Sequence, residues 1–162
     1  MKKLGLLFVA LLTMVSVSFA QKSPKVTAES KNVKISYGQP SKRDRAVFGA
    51  LVPYNEVWRA GANEATEITF AKDGTFGGKA VKAGTYSLFV IPTEKEWTII
   101  LNSELKQWGS YGYDKIKAKN VAEVKVAVKS LGAVVEALTY TTDDTNVTIS
   151  WDKTSVSVPV KF

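Results

Sequence analysis

Apolar and polar residues alternate with a period of two along most of the chain, the pattern of strands with one face buried. Val26 and Ala28, then Val33, Ile35 and Tyr37, predict one or two strands, and Ile68 and Phe70 alternate with Glu67 and Thr69 in another. Asp73-Gly74 and Gly77-Gly78 are turn signals, and residues 79–82 read as a short strand closed by Ala83-Gly84. Residues 85–91 form a nearly unbroken apolar run, which predicts a strand covered on both faces. Pro92 ends it, and residues 97–101 are the next strand. Val124, Val126 and Val128 face one way while Lys125 and Lys129 face the other. Residues 134–141 follow, then a turn at Asp143-Asp144-Thr145. Val147, Ile149 and Trp151 alternate with polar residues, Asp152-Lys153 turns the chain, and Val156, Val158, Val160 and Phe162 alternate again. Pro159 has no N–H for a ladder, so the last strand is expected at an edge, or with that missing donor outward.

No helical period lasts beyond a turn or two. The pattern predicts an all-β fold, an antiparallel β-sandwich of about eight or nine strands. Residues 26–162 make one domain after a short polar lead-in at 21–25.

Two segments break the rhythm and predict long ordered loops. Residues 38–64 hold Pro40, Gly49, Pro53 and Gly61, yet also Val47, Phe48, Leu51, Val52, Tyr54, Val57 and Trp58. Such a loop must pack onto the sandwich, and ordered loops of this length usually have a job. The second, 103–120, spaces Trp108, Tyr111 and Tyr113 with glycines.

Residues 1–20 have the form of a signal peptide: Lys2-Lys3, an uncharged apolar stretch, then Ser18-Phe19-Ala20. No second apolar run follows, so the expectation is an exported protein, periplasmic or extracellular, without a membrane span. The leader also revises the charge. The chain carries 22 Lys+Arg against 15 Asp+Glu, a net +7, and the leader removes two lysines and no acid. The remaining excess is mostly diffuse lysine, which with export argues against a nucleic-acid partner.

The chain has no histidine and no cysteine. That excludes Ser-His-Asp and Cys-His catalysis, thiolate or imidazole metal sites, disulfides and a lipidated N-terminal cysteine. No calcium-loop or phosphate-cradling glycine motif occurs, so no metal or cofactor is assigned, and an all-oxygen metal site stays open. Ser103-Glu104-Leu105-Lys106 matches Ser-x-x-Lys, but the companion motifs of penicillin-recognising enzymes are missing.

The three arginines, Arg43, Arg45 and Arg59, all lie in the first loop. A guanidinium pairs bidentately with carboxylate, phosphate or sulfate, so an arginine cluster beside Trp58 and Tyr54 is a candidate site for an anion or sugar acid. The structural alternative is that Arg59 pairs with Glu56 or Glu64 and that Arg43 and Arg45 brace their own loop. Asn63 and Glu64 add an amide and a carboxylate at adjacent positions.

The run from Phe48 through Trp58-Arg59-Ala60-Gly61-Ala62-Asn63-Glu64 to Thr66 resembles the signature of a secreted bacterial family known as domain of unknown function 2911. Ala83-Gly84-Thr85-Tyr86-Ser87-Leu88-Phe89, Ile91-Pro92, Trp97 and Gln107-Trp108-Gly109 match its second half in order. The resemblance implies an extracytoplasmic domain, alone or fused to tetratricopeptide repeats, and brings no activity with it. Where that family often has Thr or Ser, this chain has Ala60.

The leading expectation is a module that binds a small ligand or glycan, with an anionic ligand among the options. Trp58, Arg59, Asn63 and Glu64, with Tyr86 and Trp108, form the candidate ligand site, and no residue is assigned as catalytic. A structural or protein-interaction module of the cell envelope is a second reading. A hydrolase using Glu56 and Glu64 as a carboxylate pair is a third.

Overall fold

The computed structural model describes residues 22–162, and the predicted leader lies outside the described residues. Among them no helix is long and apolar enough to cross a membrane. The strands are β1 (Lys25–Glu29), β2 (Val33–Gly38), β3 (Thr66–Phe70), β4 (Gly74–Phe76), β5 (Lys79–Val81), β6 (Gly84–Pro92), β7 (Glu96–Asn102), β8 (Asn120–Ala127), β9 (Lys129–Thr142) and β10 (Asn146–Lys161). They form two antiparallel sheets, β1-β2-β3-β6-β7-β8 and β5-β4-β10-β9. The alternation between apolar and polar positions is what packs one face of each sheet against the other. Ile35, Ile68, Leu88, Ile99 and Val124 from the first sheet meet Phe76, Leu138, Ile149, Val156 and Val158 from the second in one core.

β10 is extended throughout but doubles back at Asp152-Lys153. Ser150 Oγ lies 2.9 Å from Ser155 Oγ, Thr148 Oγ1 lies 3.0 Å from Ser157 Oγ, and Val160 N donates to Thr145 O at 2.8 Å. All three pairs are centred on Asp152-Lys153, and Asp152 has the positive φ of 54° that a tight hairpin turn requires. The hairpin expected from the alternation is therefore present. Its second arm is not an edge: Val160 and Lys161 pair with β4. Pro159 sits just where β4 ends and offers only its carbonyl, to Gly77 N at 2.7 Å. Three residues beside a turn show no period, so the alternation does not predict β4; with the two arms of β10 counted separately, as the alternation reads them, eleven strands stand against about eight or nine expected.

The unbroken apolar run of β6 has the predicted cause. Its inner residues Leu88 and Val90 enter the main core, while Phe89 on the other face is covered by the second loop. That loop folds a short helix, α1 (Tyr113–Ile116), over Phe89 and Ile100, with the Phe89 and Tyr113 rings 5.1 Å apart. Fully buried Asn102 fastens it. Its Nδ2 donates to Ile116 O and Asn120 Oδ1, both at 2.8 Å, and its Oδ1 accepts from Glu104 N at 2.8 Å. Asn102→Ala strands those partners and is expected to cost about 2–3 kcal/mol in urea unfolding. A loss below about 0.5 kcal/mol would show that the loop docks without it.

Candidate functional site

The first loop leaves β2 and immediately pairs with the outer edge of β9. Leu138 N donates to Pro40 O at 3.0 Å and Lys42 N to Glu136 O at 2.8 Å. Two consecutive residues with positive φ, Arg43 and Asp44, then turn the chain. Glu136 holds this turn by accepting Arg43 N on its carboxylate at 2.9 Å. Arg45 folds back, its Nε donating to Lys42 O and its Nη2 to Ser41 O, each at 2.8 Å. Val47 and Phe48 follow into the core, where Phe48 meets Trp58, Trp97 and Trp151.

The returning half of the loop runs along β6. Trp58 exchanges both backbone hydrogen bonds with Val90, at 2.7 and 2.9 Å, taking the place that β3 would occupy further along. Next, Ala60 is held in the left-handed region at φ 56°. Its carbonyl accepts from Thr66 Oγ1 at 2.9 Å and from the Tyr140 hydroxyl at 2.7 Å, which compensates an alanine for that conformation. Gly38 permits the closure, since a side-chain carbon there would lie 2.0 Å from Ala62 O.

Burial pushes the Tyr140 hydroxyl far up from its ordinary value. The folded protein keeps that proton, whereas the unfolded chain loses it above about pH 10. Stability from this group is complete below that pH and falls as pH rises through the alkaline range. Urea unfolding from about pH 9 to 11.5 is expected to show a shallower decline for Tyr140→Phe than for the unaltered protein. Parallel curves would contradict this.

These connections bring Arg43, Arg45 and Arg59 to one open cleft of about 320 Å³. Its lining also includes Ser41, Leu51, Val52, Gly61, Trp58 and Trp151, and contains no Asp or Glu. The ion pairs among the described residues are Lys42–Asp152, Lys82–Asp73, Lys119–Glu104 and Lys125–Glu96, and none uses an arginine. Arg59 is thus not locked by Glu56 or Glu64. Its Nε is buried without a hydrogen-bond partner among the described residues. A guanidinium so placed lacks acceptors, and three without a carboxylate make the cleft positive.

The family model for a protein of unknown function, DUF2911, matches residues 20–160. The chain belongs to this family. Neither the curated proteins nor the solved structures give a match to this DUF2911 chain.

In this DUF2911 domain the six residues expected to form the site do not all meet. Trp58 and Arg59 line the arginine cleft. Trp58 is only 9% exposed and stacks on Trp151, ring centres 6.0 Å apart at 19°, so it offers the cleft an edge and not a free face. Asn63, Glu64 and Trp108 form the junction between the two loops. Gly109 N donates to Asn63 O at 3.1 Å, Glu64 bridges Trp108, and Asn63 Nδ2 donates to Ser23 O at 3.3 Å. Trp108 is 59% exposed there, with Lys22 Nζ 5.9 Å from its ring centre. Tyr86 is buried beside Phe70 and donates to Lys82 O at 2.9 Å, apart from the cleft. Glu56 and Glu64 line different depressions, so the two carboxylates do not face each other across one site.

Trp151, by contrast, lines the cleft although the sequence marks it only as a strand residue. Nothing in its alternating pattern separates it from a core tryptophan. Only the packing of β10 against the first loop brings it there.

Proposed function

We propose that this protein is an exported binding module for a small acidic ligand or an acidic glycan. The ligand sits in the cleft of Arg43, Arg45 and Arg59. The observation that supports this reading is that Arg59 lines an open cleft with no carboxylate in its wall and no ion pair of its own. Carboxylate, sulfate or phosphate oxygens would accept from the buried Nε–H and the neighbouring Nη groups, replacing an unmade hydrogen bond with a charge-assisted one. Arg45 already braces its loop with two of its donors, which leaves its remaining donors and its charge for the same ligand. A volume of about 320 Å³ suits a ligand of roughly one ring.

The test is calorimetric titration with uronic acids, sulfated and phosphorylated sugars, dicarboxylates and neutral sugars, at low and high salt. Acidic members are expected to bind, and to bind more weakly as salt rises. Equal binding of neutral and acidic sugars, or no binding across the panel, would overturn the proposal.

A further inference from the structure

The arginine cleft does not end at Arg59. A second depression of about 180 Å³ shares Leu51, Val52, Trp58 and Arg59 with it and continues to Glu56 and Tyr111. Tyr111 is 85% exposed, more than any other large apolar or aromatic side chain among the described residues. Its ring rests on the backbone of Gly109: a side-chain carbon at Gly109 would lie 2.8 Å from Tyr111 Cε2. Gly109 has φ 68°, a conformation that favours glycine. The same missing side chain leaves Arg59 Nη1 close by, 3.6 Å from that position. One glycine therefore supports both a guanidinium and an aromatic face open to solvent.

We infer, building on the proposed acid-binding cleft, that the ligand is an acidic oligosaccharide of at least two rings. An acidic sugar occupies the arginine cleft and the adjoining sugar lies on Tyr111, with the Glu56 carboxylate accepting hydrogen bonds from its hydroxyls. The two depressions divide the chemistry. The first carries all three arginines and no free aromatic face, and the second shares Arg59 with it and adds an open aromatic face and one carboxylate. Sugar C–H faces stack on such rings, and hydroxyls donate to such carboxylates. A peptide strand would instead need open backbone partners, and the local ones are used: Val52 N with Val47 O, Gly49 N with Val52 O, and Trp58 with Val90.

The test titrates galacturonic acid and its dimer and trimer into the protein and into Tyr111→Ala, with an acidic dipeptide as comparison. The dimer is expected to bind about tenfold more tightly than the monomer, and Tyr111→Ala to bring it down to the monomer's affinity. Equal affinity of monomer and dimer would overturn the inference while leaving the acid-binding cleft standing. A dimer advantage that survives Tyr111→Ala, or tighter binding of the dipeptide, would also overturn it. Absence of binding by every acid in the wider panel would remove the cleft reading and this inference together.

Discussion

Arg59→Ala is expected to weaken binding of an acidic sugar by about a hundredfold or more and to leave the fold intact. The magnitude follows from losing a bidentate, charge-assisted pair of hydrogen bonds, each stronger than a neutral one. The fold should survive because Arg59 makes no ion pair and its Nε has no hydrogen bond to lose. The loop around it is held by other groups: Trp58 on Val90, Ala60 on Thr66 and Tyr140, and Ala62 on Gly38. Calorimetry and a thermal melt of the same sample check both halves. Arg59→Lys separates charge from geometry: it keeps the cation, loses the planar fork and the Nε–H, and should recover only part of the affinity. Full affinity in Arg59→Ala would remove the arginine from the site. A collapse of the melt would make it a scaffold residue.

Trp151→Ala should do the opposite, destabilising the domain strongly by opening its aromatic core. Trp151 is 1% exposed. It stacks on Trp58, meets Phe48 edge-on at 6.2 Å, and donates Nε1–H to Glu136 O at 3.1 Å. That last bond ties the core to the β9 residue that also anchors the Arg43 turn. Removing so large a buried ring costs about 3–5 kcal/mol, against a total stability of about 5–15 kcal/mol for a domain. The melting temperature is expected to fall by about 10 °C or more, or the protein to be unfolded at room temperature. Trp151→Phe, which keeps an aromatic ring in place, should lose much less. A drop of only a few degrees in Trp151→Ala would show that the loop and hairpin pack independently of this cluster.

The strands were legible because their alternation is local. A period of two marked both arms of β10, and the continuous run at 85–91 marked a strand covered on both faces. Asp152 at positive φ puts the turn at the residues where the alternation breaks. The site was less legible for a physical reason. The confinement of all three arginines to one loop was visible, and that loop does bring them to one cleft. What completes the site is the meeting of residues far apart in sequence: Glu136 with the Arg43 turn, Trp151 with Trp58, and Gly109, whose missing side chain leaves room for Arg59. No local pattern encodes those meetings. Proximity in sequence also misled in one place. Arg59 and Glu64 are close along the chain, but the left-handed Ala60 and Asn63 between them turn Glu64 toward Lys106 and Glu67 in a different depression. Tyr86 shows a further limit, since an aromatic in a motif looks the same whether it faces a ligand or the core.

Because the chain has three arginines, all in the first loop, their Nε–Hε signals can be followed individually by NMR. The most direct test is a ¹⁵N titration of those three signals with galacturonic acid and its dimer, with sulfated, phosphorylated and dicarboxylate ligands run in parallel. A saturable shift of the Arg59 Nε–Hε signal, moving together with amides at 40–62, is expected for at least one acid and for no neutral sugar. Arginine signals that stay in place while acids bind elsewhere, or that show no saturable response to any acid, would contradict it.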